Sequence, residues 1–336
     1  MKKNYWYIHI YPLIAILTIM LVASGFAFSE GLIEQQVLKQ NVIGEEIERN
    51  YWLYTPKNLP ENPALVVVMH GYSGDALAIM SYSGMNDIAD SNGFLVAYPQ
   101  GTIDSEGNAF FNVGYEFHHN SAVDDVAFVE AVVNATVTED GADAAKVFVT
   151  GMSNGGDMSY LLACSSSKVF RAVAPVAGSM MKTMIDQCAP DRTLPIMAIS
   201  GTDDPVTLYA GDQQNSGGWG AYIGQEETRD FWVAKHGFIN SSTVEINDSH
   251  KPIIVGNSKV QLQRYWNSRG KSEVWFYRVD NGGHDWPGAK FDSWWQPTRY
   301  AALYGMGFGK NKDIDSSEEI WKFFSHWIMK DDDQAL

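Results

Sequence analysis

The sequence predicts an α/β protein with a doubly wound, mostly parallel sheet that carries helices on both faces. Short continuous apolar runs, which suit strands buried on both sides, occur at residues 65–69, 93–99, 147–149, 170–178 and 194–200. Helical patterns separate these runs, and that alternation is typical of parallel sheets. The chain has 336 residues, 45% of them hydrophobic. This length is sufficient for one large core, and no linker divides it.

The first half of the chain has the local patterns that such a sheet needs. They predict a strand or hairpin at 40–56, a buried strand at 65–69 and a glycine-containing loop at 70–74. A helix at 79–92 and a second buried strand at 93–99 follow. A polar loop then contains His118 and His119, which match no recognised spacing of metal ligands, so we expect no metal site there. The next helix begins near Asp124 and Asp125, where the helix dipole favours acidic residues.

The second half continues the alternation of strands and helices. Its patterns predict a Met-rich loop at 179–185, a loop rich in glycine and aromatic residues at 211–222 and a helix at 226–235. They then predict a surface hairpin at 238–258, a strand at 273–279 and a terminal helix at 316–329. Because ligands of doubly wound sheets bind at the carboxyl ends of the strands, functional residues are expected in the loops that follow them.

Residues 146–164 read as a strand, a tight turn and a helix, with Ser153 at the turn. Gly151, Ser153 and Gly155 fill the Gly-x-Ser-x-Gly pattern, in which a nucleophilic serine takes a strained conformation and the glycines let strand and helix pass closely. The backbone N–H of Asn154 would then face a developing oxyanion, and we expect Tyr72 to supply a second donor. Such a turn also occurs without any catalytic role, so a catalytic interpretation requires an acid and a histidine elsewhere in the chain.

An acid and a histidine follow Ser153 in the chain order of a Ser-Asp-His catalytic triad: Asp203 or Asp204, and then His284. Serine is a weak nucleophile unless a neutral imidazole accepts its proton, and a carboxylate must orient that imidazole. His284 occupies a glycine-flanked loop at the end of a predicted strand. His70 precedes the serine, and we expect it to be a structural hydrogen-bonding residue.

Four motifs in this order resemble the polyhydroxybutyrate depolymerase-like esterases, a group that includes feruloyl and acetylxylan esterases. They are Gly-Met-Ser-Asn-Gly-Gly, Val-Asp-Asp-Val, Gly-Thr-Asp-Asp-Pro-Val and Gly-Gly-His-Asp-Trp-Pro-Gly, at residues 151–156, 123–126, 201–206 and 282–288. The resemblance implies the α/β-hydrolase fold, secretion, and hydrolysis of carboxylic esters through an acyl-enzyme without metal or organic cofactor. It places the acid of a Ser153, Asp204, His284 triad at Asp204 rather than Asp203.

The substrate is left open between acetyl, feruloyl and 3-hydroxybutyryl esters, polymeric ones included. Trp286, Trp294 and Trp295 permit two interpretations, a substrate-binding wall or ordinary packing. The segments 290–311 and 211–222 depart from the family pattern. Two other hypotheses remain, a serine peptidase on the same fold and a non-catalytic polysaccharide-binding protein.

The N-terminus and the two cysteines indicate where in or outside the cell the protein is found. Lys2 and Lys3, an apolar run and small residues predict a signal peptide at residues 1–29, followed by a catalytic domain at 30–336; an uncleaved anchor is the alternative. An exported protein would be secreted or periplasmic, and its two cysteines, Cys164 and Cys188, would form a disulfide rather than remain buried thiols. The net charge of -16 argues against nucleic acid and anionic membranes as partners. The sequence does not predict an oligomeric state.

Overall fold

A computed structural model describes residues 31–246, 259–267, 273–289, 311 and 313–332 of the chain. The predicted signal peptide at residues 1–29 lies outside these ranges, as do Trp294 and Trp295. Within the ranges, no helix combines the length and the apolar character that a membrane span requires.

Ten of the strands in this part of the chain form one mixed sheet. The strands are β1 (Leu32–Val42), β2 (Glu45–Thr55), β3 (Leu65–Met69), β4 (Leu95–Pro99), β5 (Thr102–Ile103), β6 (Ala109–Phe110), β7 (Val147–Met152), β8 (Ala172–Val176), β9 (Ile196–Gly201), β10 (Gly211–Asp212), β11 (Tyr222–Ile223), β12 (Asn240–Ile246), β13 (Lys259–Trp266) and β14 (Glu273–Asp280). The main sheet has the order β1-β2-β4-β3-β7-β8-β9-β14-β13-β12, while β5 with β6 and β10 with β11 form two small separate ladders.

The six central strands of the main sheet run parallel, and antiparallel pairs complete both edges. Every residue of β3, β4, β7, β8 and β9 is buried. Strands covered on both faces must be apolar throughout, which explains the continuous runs in the sequence. The prediction of a mostly parallel, doubly wound sheet is therefore confirmed.

Helices cover both faces of the sheet. They are α1 (Ala76–Ser83), α2 (Met85–Asn92), α3 (Asp125–Glu139), α4 (Asn154–Ser165), α5 (Lys182–Gln187), α6 (Gln225–His236) and α7 (Ser316–Asp332). Buried side chains of α3, α4 and α6 pack with one face of the sheet, and those of α1, α2 and α7 pack with the other. Along β3 the side chains of Val66 and Val67 join opposite clusters, because successive residues of a strand point to opposite faces.

Two local predictions need correction. The helix expected over 79–92 is two helices, because Gly84 takes a left-handed conformation with φ 66° and ends α1 before α2 begins. The segment 238–258 is not a separate surface hairpin as far as the structure describes it. Its strand β12 pairs with β13 and forms one edge of the main sheet.

The sheet brings several loops to one edge. The neighbouring parallel strands β7, β8, β9 and β14 all end there, and the loops that follow them contain Ser153, Ser179, Asp204 and His284. A disulfide between Cys164 and Cys188, whose Cα atoms are 4.6 Å apart, ties the end of α4 to the end of α5. Helix α4 is thus cross-linked to the segment between β8 and β9.

Candidate active site

Ser153 stands between β7 and α4 in a conformation that few non-glycine residues adopt, with φ 56° and ψ -120°. Its backbone N–H donates to the carbonyl oxygen of Val176 on the neighbouring strand over 2.9 Å. A Cβ at Gly151 would lie 2.5 Å from the carbonyl oxygen of Gly155, and a Cβ at Gly155 would collide with the backbone of β3. The turn therefore requires glycine at both positions around the serine.

The two predicted oxyanion donors belong to segments next to Ser153. Asn154 is the first residue of α4, so its N–H has no acceptor within the helix and stands at the positive end of the helix dipole. The loop that contains Tyr72 also passes close to the serine, because a Cβ on Gly71 would be 3.2 Å from the Cβ of Ser153. The role of the two N–H groups as oxyanion donors stays a prediction.

The buried side chain of His70 holds the loop at residues 70–74 through hydrogen bonds. His70 accepts a hydrogen bond at Nε2 from the backbone N–H of Gly101 over 2.9 Å, and its Nδ1 lies 2.7 Å from the carbonyl oxygen of Gly71. These partners require a neutral ring with its hydrogen on Nδ1, and burial lowers the pKa of His70 in agreement. The structure thus gives His70 the structural hydrogen bonds that the sequence predicted.

Tyr72 is held through its side chain as well. Its hydroxyl donates to Oδ2 of Asp104 over 2.7 Å and accepts from the side-chain amide of Asn108 over 2.9 Å. His118 Nε2 lies 3.2 Å from the same oxygen of Asp104. Although burial acts to raise it, the pKa of Asp104 is held well below its ordinary value by these hydrogen bonds and by backbone N–H donors. His118 thus belongs to a hydrogen-bonded network that anchors the loop.

The pair Asp204 and His284 is buried and directly hydrogen-bonded. Nδ1 of His284 lies 2.8 Å from Oδ2 of Asp204, and the other carboxylate oxygen accepts from the backbone N–H groups of Val206 and Thr207 over 2.8 Å each. The neighbouring Asp203 is exposed. Only Asp204, of the two candidate acids, contacts the histidine ring in this structure.

A small cavity opens beside Ser153. It is lined by aromatic, apolar and polar side chains: Tyr115, Asp157, Ser179, Met181, Val206, Thr207, Trp219 and Tyr222. Trp219 makes edge contacts with the rings of Tyr72 and Tyr115, at centroid distances of 5.4 Å and 5.2 Å. The sequence reasoning singled out the loop at 211–222 but missed these particular aromatic residues. Its richness in glycine and aromatic residues was the available signal.

The cavity also contains a carboxyl group that the sequence reasoning missed. Asp157 lies one helical turn after Ser153 and is only 3% exposed. One of its oxygens accepts from the backbone N–H of Ser179 over 2.5 Å, and the other accepts from the hydroxyl of Tyr115 over 2.7 Å. Burial raises the pKa of Asp157 to about 7, and these hydrogen bonds oppose the shift. Its place four residues after the serine was the only clue in the sequence.

The structure corrects the hypothesis that Trp286 lines a binding wall. Its side chain has no exposed surface and packs in the core with residues of α7. Its indole N–H donates to the hydroxyl of Ser317 over 3.2 Å. A fully enclosed ring cannot contact a substrate, so the packing interpretation holds for Trp286. Trp294 and Trp295 lie outside the described residues.

The chain is similar to known esterases. A family model described as esterase PHB depolymerase matches residues 49–234, which are more than half of the chain. The chain belongs to this esterase family. The matched region contains Ser153 and Asp204 and ends before His284.

Two of the relatives match shorter segments of the chain. Feruloyl esterase B of Talaromyces stipitatus is 36% identical over 131 residues, which are 38% of this chain and 35% of that protein. Poly(3-hydroxyalkanoate) depolymerase C of Paucimonas lemoignei is 27% identical over 179 residues, 53% of this chain and 42% of that protein. Each match thus spans less than half the length of the relative.

Among solved structures, an acetyl xylan esterase from Aspergillus awamori matches 75% of this chain and 94% of its own, with a TM-score of 0.52 and 16% sequence identity. At that identity the likeness concerns the fold alone. Together with the sheet order and the helices on both faces, it identifies the α/β-hydrolase fold.

Proposed function

We propose that the chain is an exported serine esterase that hydrolyses carboxylic esters through an acyl-enzyme. The observation that carries this proposal is the strained Ser153 turn at the same sheet edge as the buried pair of Asp204 and His284. Membership of an esterase family supports it. The N-terminal pattern and the disulfide support export from the cytoplasm.

The proposed reaction begins when Nε2 of His284 takes the hydroxyl proton of Ser153 and the serine oxygen attacks the ester carbonyl. Asp204 keeps the other ring hydrogen on Nδ1 and stabilises the cation that forms. The backbone N–H groups of Tyr72 and Asn154 bind the oxyanion of the tetrahedral intermediate.

His284 then gives its proton to the departing alcohol, which leaves an acyl group on Ser153. Water releases the acid by the same sequence of proton transfers. The route uses only side chains, backbone groups and water.

The substrates of relatives limit the choice of ester. Their names refer to feruloyl esters, acetylxylan and poly(3-hydroxyalkanoate). We therefore propose an ester of one of these types, in which the alcohol part can belong to a polymer. The net charge of -16 agrees with a neutral substrate better than with nucleic acid.

Hydrolysis of a matched panel tests the proposal. Purified protein is assayed on methyl ferulate, acetylated xylan and a 3-hydroxybutyrate oligomer, beside Ser153→Ala and Ser165→Ala. Ser165 is an exposed serine at the end of the same helix and provides the matched control. We expect Ser153→Ala to lose at least ~10³-fold of the activity, because triad members act as a unit, and Ser165→Ala to retain it.

Covalent labelling by a fluorophosphonate separates the remaining hypotheses. Labelling that requires Ser153, with cleavage of peptides and of no ester, would favour the peptidase. Absence of both labelling and hydrolysis by the folded protein would favour the polysaccharide-binding protein.

A further inference from the structure

The cavity beside Ser153 contains one carboxyl group, Asp157, to which the proposed mechanism gives no task. Three contacts are made by this group: the backbone N–H of Ser179 at 2.5 Å, the hydroxyl of Tyr115 at 2.7 Å and the hydroxyl of Ser179 at 3.4 Å. Among the described residues, no Lys or Arg forms a salt bridge with it. A carboxylate has about four acceptor positions, so two good hydrogen bonds leave capacity for a further donor.

The cavity lies where the acyl part of the ester is expected, because the acyl group stays on Ser153 when the alcohol departs. Its walls come from α4, from Tyr115, from the loops after β8 and β9 and from the segment 211–222. Ser153 and Asp157 both line this cavity. An acyl group on Ser153 therefore has the carboxyl of Asp157 as a neighbour.

The distance from Ser153 limits where a donor can sit. The backbone N–H of Asp157 donates to the carbonyl oxygen of Ser153 over 2.8 Å, as in a helical turn. Ser153 immediately precedes α4 and Asp157 is the fourth residue of that helix, so the two residues are separated by about one helical turn, about 5–6 Å along the axis. A hydroxyl on the second or third carbon of the acyl chain spans this distance, whereas the phenol at the far end of a feruloyl group extends well beyond it.

We propose that Asp157 is a specificity-determining residue that accepts a hydrogen bond from a hydroxyl on a short acyl chain. This inference rests on the proposed esterase function and narrows it to short hydroxyacyl esters. Met181, Val206 and Trp219 form apolar parts of the wall next to this carboxyl. An unsubstituted acyl chain offers no donor to the remaining acceptor positions, so the hydroxy ester gains one hydrogen bond that the plain ester lacks.

The protonation of Asp157 gives the preference a pH dependence. Burial raises its pKa to about 7, so the ionised form, which is the stronger acceptor, predominates only above neutrality. The titratable groups around it are His284, Tyr115, Tyr160 and Tyr222. Proton transfers at His284 affect every ester alike, so a ratio of rates on two esters isolates the contribution of Asp157.

The test compares p-nitrophenyl 3-hydroxybutyrate with p-nitrophenyl butyrate, which differ only in the hydroxyl. The readout is the ratio of their kcat/KM values in wild type, Asp157→Asn and Ser165→Ala. We expect the ratio to favour the hydroxy ester in wild type and to fall about tenfold or more in Asp157→Asn, since a hydrogen bond to a charged group has this magnitude. Ser165→Ala changes an exposed serine at the end of the same helix and leaves the carboxyl and the cavity in place, so it should retain the wild-type preference.

An equal ratio in wild type and Asp157→Asn would overturn the inference. If Asp157→Asn does not fold, the wild-type ratio alone decides: it should rise between pH 6 and pH 8, and a flat profile would also overturn it. Failure of the folded wild type to hydrolyse either ester or to react with a fluorophosphonate would overturn the esterase function itself. The two failures are therefore distinguishable.

Discussion

Single residues at the site hold conformations that their surroundings impose. A non-glycine residue with the backbone angles of Ser153 carries a strain of about 1–3 kcal/mol. The hydrogen bond to Val176 and the start of α4 stabilise that geometry. Strain of this kind persists only where the fold over-determines it. It directs the side chain away from the sheet, toward the cavity.

The acid of the site can be assigned at the same scale. Asp204→Asn removes the carboxylate that orients His284, and we expect kcat to fall by about 10³–10⁴-fold, since the ring can then take the wrong tautomer. Asp203→Asn changes an exposed neighbour and should alter kcat less than about threefold. Initial rates on the best ester of the panel give both values. The opposite ranking of the two variants would move the acid to Asp203.

The raised pKa of Asp157 predicts a pH-dependent stability. A carboxyl whose folded-state pKa lies near 7, above its ordinary value of 3.8, contributes most stability below pH 3.8 and loses it as the pH rises through 7. Asp157→Asn lacks this titration. The free energy of unfolding of wild type should therefore fall relative to that of the variant between pH 4 and pH 8, by up to about 4 kcal/mol. Urea denaturation of both proteins across this interval measures it, and parallel curves would contradict it.

At the scale of elements, the approach of helix α4 to strand β3 decides where Ser153 stands. A Cβ at Gly155 would lie 2.7 Å from the carbonyl oxygen of His70 and closer still to that of Met69. Both atoms belong to the backbone, so neither can turn away as a side chain would. The glycines of the motif are therefore requirements of packing as much as of turn conformation.

Gly155→Ala should consequently separate the helix from the strand. We expect the free energy of unfolding to fall by at least about 2–3 kcal/mol through overpacking, and activity to fall with it because the serine shifts. Gly107→Ala is the control, since a Cβ there meets no atom within 4 Å and only the positive φ of 87° opposes alanine, at about 1–2 kcal/mol. Chemical denaturation gives the two values. Equal costs at both positions would show that contact with β3 is unimportant.

The elements that sequence predicts best are those with a local physical cause. The apolar run at β3 matches the strand residue for residue, because burial on both faces leaves no other composition. Gly84 was passed over, since a glycine within a helical pattern does not reveal its φ. The sequence left Trp286 open between a binding wall and ordinary packing, because its burial depends on α7, about thirty residues later.

Some residues of the site are marked by local sequence motifs and others are not. Ser153, Asp204 and His284 follow motifs whose spacing is local, so sequence could propose them. Asp157 and Trp219 meet in one cavity only because α4 and the loop at 211–222 fold against each other. Nothing local marks such a contact. The cavity that should determine the acyl group is therefore the part that required a structure.

At the scale of the whole molecule, stability and site depend on the same edge of the sheet. Gly201 is the last residue of β9 and Gly282 lies on the loop after β14, and a Cβ at Gly201 would collide with the carbonyl oxygen of Gly282. The backbone N–H of Asp203 also donates to that oxygen over 2.9 Å. The two loops that carry Asp204 and His284 are thus fastened to each other. Their pairing is a consequence of how closely the parallel strands end.

The disulfide adds a covalent link to this assembly, and its removal is a test of global stability. Cys164 and Cys188 close a loop with a sequence separation of 24, and both are buried. Restricting a loop of that length in the unfolded chain stabilises the fold by about 3 kcal/mol. The double variant Cys164→Ala, Cys188→Ala should lose that amount in urea denaturation and retain its activity at low denaturant, because neither cysteine lines the cavity beside Ser153. Wild type with a reductant should approach the variant, whereas the variant should not respond to it. A wild type that is equally stable with and without reductant, and equal to the variant, would show that the bridge contributes nothing to the fold.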